Sequence, residues 1–118
     1  MKRVIILSPY KGSRDENVLY ARLALLDSLE RGEAPFASHL LYTQVLDDKI
    51  PGDRVRGLSC ESTWLAAADL VACYTDRGIS DGMQYALDQA RGTKPVEYRT
   101  INHESDQNSR ATPEQPKE

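Results

Sequence analysis

Cysteine is scarce in this 118-residue chain: only Cys60 and Cys73 occur, and not in a C-x-x-C spacing. Two such cysteines do not make the disulfide framework of a small secreted scaffold, although one pair could in principle form. A reduced, cytoplasmic protein is expected. Histidine is equally sparse, and His39 and His103 do not cluster with the cysteines. No metal or other cofactor is expected from that pattern. Long apolar runs are missing too. The opening "VIILS" is too short for the core of a signal peptide and runs at once into a polar turn. No stretch approaches the ~20 apolar residues of a membrane span. Nor is there an excess of positive charge: 15 Lys and Arg are scattered among 18 Asp and Glu, for a net charge of −3. Nucleic acid and membrane surfaces are therefore not expected partners. No internal repeat is present, and the length suits one core rather than two.

What is present is an alternation of strand and helix signals. "RVIIL" (3–7) is an apolar, β-branched run without alternation, as in a strand buried on both faces. The turn cluster "SPYKGS" (8–13) follows, and a helix begins at Asp15 or Asn17 and stops at Gly32. Its expected buried stripe is Val18, Ala21, Leu25 and Leu29, widened by Leu19, Leu23 and Leu26. "APFASHLLY" (34–42) reads as a second strand, and "QVLDDKIPGD" (44–53) as a loop punctuated by Pro-Gly. A second helix is expected over 54–68, with Val55, Leu58, Ser62 and Leu65 inward. "DLVACYT" (69–75) is a third strand, and a third helix places Met83, Ala86, Leu87 and Ala90 on one face. "KPVEYR" (94–99) is the fourth strand. Residues 102–118 are almost devoid of apolar side chains and read as a disordered tail, leaving residues 1–101 as the domain.

Strands alternating with helices predict an α/β domain with a parallel sheet covered on both faces. Ligands in such sheets lie beyond the carboxyl ends of the strands, near the switch in strand order. That rule singles out the loops after the first three strands. In the first, Ser8, Tyr10, Lys11 and Gly12 offer a hydroxyl, a flat ring, a cation and a turn. In the second, His39 is either a structural residue or part of the site, and Asp47 and Asp48 suit a solvated loop. The third holds Asp76, Ser80, Asp81, Gly82 and Met83, where Ser80 either caps a helix or helps that helix start receive an anion. Glu61 and Trp64 flank the buried face of the second helix, with Glu61 pointing into the cleft or into water.

Taken together, "SPYKGS…N", "APFASHLLYTQVLDD" and "GISDGM" resemble the small nucleoside 2-deoxyribosyltransferase-like proteins, in particular a phage- and prophage-associated branch. "GSRDENVLYARL" is also similar to part of the 2′-deoxynucleoside 5′-monophosphate N-glycosidases. The resemblance covers residues 3–99 and agrees with what the alternation and the right-handed crossover rule predict, a Rossmann/flavodoxin-like three-layer domain with four to five strands in the order 2-1-3-4. It implies a nucleoside or nucleotide ligand, a homodimer or larger homo-oligomer, and the host cytoplasm for a phage-encoded copy; the second helix, carrying Trp64 beside Ala66, Ala67 and Ala68, is the expected contact face. Catalytic members attack the anomeric carbon with a Glu in the last helix, and that position falls on Ala86. Ser80 and Gly82 match the anion-binding start, Glu61 matches the second carboxylate, and the family's strand-one Tyr falls on Ile5. The resemblance thus leaves two expectations open. One is a ligand-binding protein without glycosyl transfer, acting by sequestration if the ligand is a signal. The other is an N-glycosidase whose acting carboxylate is Glu61.

Overall fold

In the computed structural model, which describes residues 1–101, the apolar runs become the strands of one parallel sheet. β1 (Arg3–Leu7) and β3 (Leu70–Tyr74) are its centre, buried along nearly their whole length. β2 (Ala34–Phe36) and β4 (Val96–Arg99) form the edges, giving the order β2-β1-β3-β4. Every pairing is parallel, with Ile5 opposite both Phe36 and Val71, and Tyr74 opposite Arg99. The architecture is the Rossmann/flavodoxin-like α/β sheet that the alternation predicts. The tail expected over 102–118 lies outside the described residues.

Helices cover both faces. α1 (Arg14–Glu30) packs Tyr20 and Ala24 against Val4, Ile6, Ala72 and Tyr74. α3 (Pro51–Ala67) and α4 (Asp81–Ala90) cover the other face, where Leu65, Met83, Ala86 and Leu87 meet Ile5, Leu7, Val71 and Cys73. α4 buries the four positions its periodicity selects. α1 ends where expected: Gly32 takes φ +82° and donates to the Leu29 carbonyl, a backbone conformation that favours glycine.

Four expectations are corrected. The strand expected over 34–42 stops at Phe36, and the chain turns into a short helix, α2 (Ser38–Leu41), then a 3-10 turn (Tyr42–Gln44). An apolar run does not by itself separate strand from helix. Here local bonds, Thr43 Oγ1 to the His39 carbonyl and Gln44 Nε2 to the Leu40 carbonyl, replace a ladder that an edge strand offers on one side only. The leucine stripe of α1 is also turned outward. Its buried residues are Asn17, Tyr20, Ala21, Ala24, Asp27 and Ser28, while Leu19, Leu23, Leu26 and Leu29 are exposed. Two alanines let the helix lie close to the sheet, and each buried polar group has a partner: Tyr20 on Asp76, Asp27 on Tyr74, Ser28 on Glu33. Pro51 and Gly52 lie inside α3 rather than in a loop, because a proline in a first turn forgoes only an N–H that has no intrahelical acceptor. Of the α3 residues expected inward, Leu65 alone is buried and Val55 is exposed, since the helix leans over an open cleft.

Candidate functional site

The order β2-β1-β3-β4 reverses its direction of travel between β1 and β3, and a cavity of about 410 Å³ opens beyond their carboxyl ends. Its volume falls within the ~300–1,000 Å³ range of small-molecule sites. Three loops and one helix wall supply it. Leu7, Ser8, Tyr10 and Lys11 come from the end of β1, and Ser80 to Met83 from the start of α4. Ser38 to Asp48 contribute the third side, and Arg54, Gly57, Leu58 and Glu61 of α3 the fourth.

The β1 loop is shaped by Asn17, one of the two residues at which the sequence places the start of the first helix. Asn17 is buried, and its side-chain amide donates to the carbonyls of Tyr10 (3.2 Å) and Lys11 (2.8 Å). Its oxygen accepts from Arg77 Nε at 2.9 Å, so the loop after β3 is tied to the loop after β1. Arg14 stacks over the Tyr10 ring at 5.1 Å, and the Lys11 ammonium is in no ion pair among the described residues.

Ser8 is buried at the floor of the cavity, with its Oγ 2.6 Å from His39 Nε2. Burial pushes the His39 ring down to about 4, so the imidazole is neutral at pH 7. Nε2 therefore either accepts from the Ser8 hydroxyl or donates to it, and the pair presents hydroxyl and imidazole groups rather than a charge. Glu61 faces this cavity rather than open water. Its Oε2 accepts from Ser38 Oγ at 3.1 Å, and burial raises its carboxyl above the usual range against that bond. Trp64, its expected companion, instead packs on Phe36 (centroids 5.0 Å apart) and donates from Nε1 to Tyr42 Oη.

At the start of α4 the capping that the residue types allow is realised. Ser80 Oγ accepts from the Met83 N–H at 3.3 Å, and the Ser80 N–H donates to Met83 Sδ at 3.4 Å. Two amides of the first turn, those of Asp81 and Gly82, are left without an acceptor among the described residues. A Cβ added at Gly82 meets nothing within 4 Å, so the backbone is open on that side.

Most of the sequence-predicted residues thus converge on one cavity. Gly12 and Asp76 do not reach its wall. Gly12 takes φ +94° in the turn before α1, and Asp76 accepts from Tyr20 Oη and the Ile101 N–H. Ala86 is also off the main cavity: it is buried beside a void of about 10 Å³ that it shares with Glu61, Leu65 and Tyr85. Residues missed in the sequence are Ser38, Tyr42 and Thr43, hidden by the strand reading of 34–42, and Arg54, Gly57 and Leu58 of α3. A Pro-x-x-Arg helix start was the available signal for Arg54. Residues 2–99 match a family described as a domain of unknown function, DUF7768. No curated protein matches the chain.

Proposed function

For a chain that belongs to the DUF7768 family, we propose that the cavity at the carboxyl ends of β1 and β3 binds a nucleoside- or nucleotide-type ligand without glycosyl transfer. The observation that carries this reading is the convergence of Tyr10, Lys11, Glu61 and Gly82, from three separate segments, on one cavity of about 410 Å³. Tyr10 offers a ring for a base or sugar, Ser8 and His39 offer groups for ligand hydroxyls, and the Asp81 and Gly82 amides offer donors to an anionic oxygen. Displacing a base from an anomeric carbon requires a positioned carboxylate. The methyl group of Ala86 supplies none. If that ligand is a signalling nucleotide, a protein that holds it without turnover acts by sequestration.

A second reading is favoured by one observation, the desolvated carboxyl of Glu61 on the cavity wall. With its proton affinity raised by burial, it suits a general base that takes a proton from water while the water oxygen bonds to the anomeric carbon and the nucleobase departs with the bonding pair. This reading makes the protein an N-glycosidase.

The test is incubation with nucleosides, nucleotides and cyclic nucleotides, read by thermal shift and by chromatography for free base. Stabilisation without base release supports the binder, and base release abolished by Glu61→Gln supports the hydrolase. Gly82→Val is expected to abolish stabilisation by ligand while leaving the apo melting temperature within a few degrees, since the new side chain enters open space. Normal nucleotide binding by this variant would overturn the placement of the site.

A further inference from the structure

A nucleoside and its 5′-monophosphate share base and sugar and differ by about two negative charges at neutral pH. Resting on the binding reading above, we propose that Arg54 and Lys11 form a two-cation clamp for a phosphomonoester, so that the ligand is a nucleotide rather than a nucleoside.

Arg54 and Lys11 line the same cavity from different elements, the first turn of α3 and the loop after β1. Neither is in an ion pair among the described residues, as is also true of Arg14, Arg22 and Arg56, but of these unpaired arginines Arg54 is the one that lines the cavity. Acids on the cavity wall leave both cations free: Asp48 and Asp81 are exposed and bonded to neither, and Glu61 is engaged by Ser38.

The start of α4 does not satisfy a dianion by itself. Capping has used the Ser80 and Met83 amides, and the Asp81 carboxylate already complements the dipole there. The two remaining amides reach at most part of a phosphate. A guanidinium adds a planar fork that binds two phosphate oxygens at once, and an ammonium adds a point charge. Ser8 and His39, uncharged as a pair, are left for the neutral part of the ligand.

The experiment uses the full chain and matched pairs: adenosine, guanosine, cytidine and thymidine, each against its 5′-monophosphate, with inorganic phosphate alongside, by calorimetry at low and high salt. At least one monophosphate is expected to bind tighter than its nucleoside by about tenfold or more, the difference made by one charge-assisted pair. That advantage should shrink with salt. Arg54→Gln should bring the monophosphate down to the nucleoside level and leave the nucleoside within about twofold, Lys11→Met should remove part of the advantage, and Arg54→Lys should restore part of it. Nucleoside and monophosphate binding equally, or Arg54→Gln weakening both alike, would overturn the clamp and leave the binding reading standing. No binding by any member of either series would overturn the binding reading and the clamp with it.

Discussion

His39 shows how one residue couples the site to stability. Its ring is held neutral by burial, with its pKa pushed from 6.5 to about 4, and its Nε2 lies 2.6 Å from Ser8 Oγ. The unfolded chain therefore binds a proton between those values that the folded chain refuses. The stability this group contributes is present above pH 6.5 and is lost as pH falls towards 4, by roughly 3 kcal/mol in all. Glu33 acts in the same direction at lower pH. The Arg99 guanidinium holds its carboxyl below the usual range, so its contribution is present above about 4.5 and is lost in acid. Urea melts at steps between pH 7 and pH 4 should show an unfolding free energy that falls with pH, and His39→Gln should flatten the limb between 6.5 and 4. An unchanged limb in the variant would mean that other groups carry the pH dependence.

α1 tests which face of a helix carries its packing. Its apolar pattern points to the leucines, yet Ala24 is fully buried and Leu23 is 45 % exposed. The inward side is built from small residues and satisfied polar ones, which bring the helix close to β1 and β3 and let Asn17 reach over to the cavity loop. Ala24→Leu is expected to cost about 1–3 kcal/mol by overpacking, whereas Leu23→Gln should change stability by less than about 0.5 kcal/mol. Chemical denaturation of the two variants distinguishes the faces, and the reverse order of costs would place the leucine side inward. At the opposite extreme stands the stretch from α2 to the 3-10 turn, whose residues are half-buried or exposed. It is held to the domain by Leu40, packed against the core of Val4 and Ile6, by the Tyr42 ring against Phe36, and by three side-chain bonds: Ser8 to His39, Ser38 to Glu61 and Trp64 to Tyr42. Two of those bonds, Ser8 to His39 and Ser38 to Glu61, join groups of the site itself.

For the whole molecule, two central strands and their helices make one core on each face of the sheet, while α3 stands apart. It forms one wall of the cavity yet buries only Leu65, and it exposes Val55 and Trp64. A partner covering this helix would stabilise the wall, so a solution mass of at least twice the 13.2 kDa of the chain is expected at micromolar concentration. Light scattering after size exclusion measures it, and Trp64→Ser should shift the population towards the monomer. A monomeric parent at that concentration would count against assembly. Among the described residues no helix is long and apolar enough to cross a membrane.

Local chemistry by itself determined the strands β1 and β3, the α4 face and cap, and the topology that put Ser8, Tyr10, Lys11, His39 and Ser80 to Met83 at one end of the sheet. Buried parallel strands and amphipathic helices write their environment into a short window of residue types, and the crossover rule then leaves few arrangements. Only the tertiary structure decided what depends on partners distant in the chain. Asn17, Asp27 and Ser28 face inward because Tyr10, Tyr74 and Glu33 are there to bond them. Arg99 is buried at the end of β4 because both oxygens of Glu33 meet it, at 2.9 and 2.8 Å. Residues 38–41 are helical because the sheet edge ends at Phe36, and Arg54 reaches the cavity because α3 starts at Pro51. A polar residue is stable inside only when its partner is in place, and no window around it contains that partner.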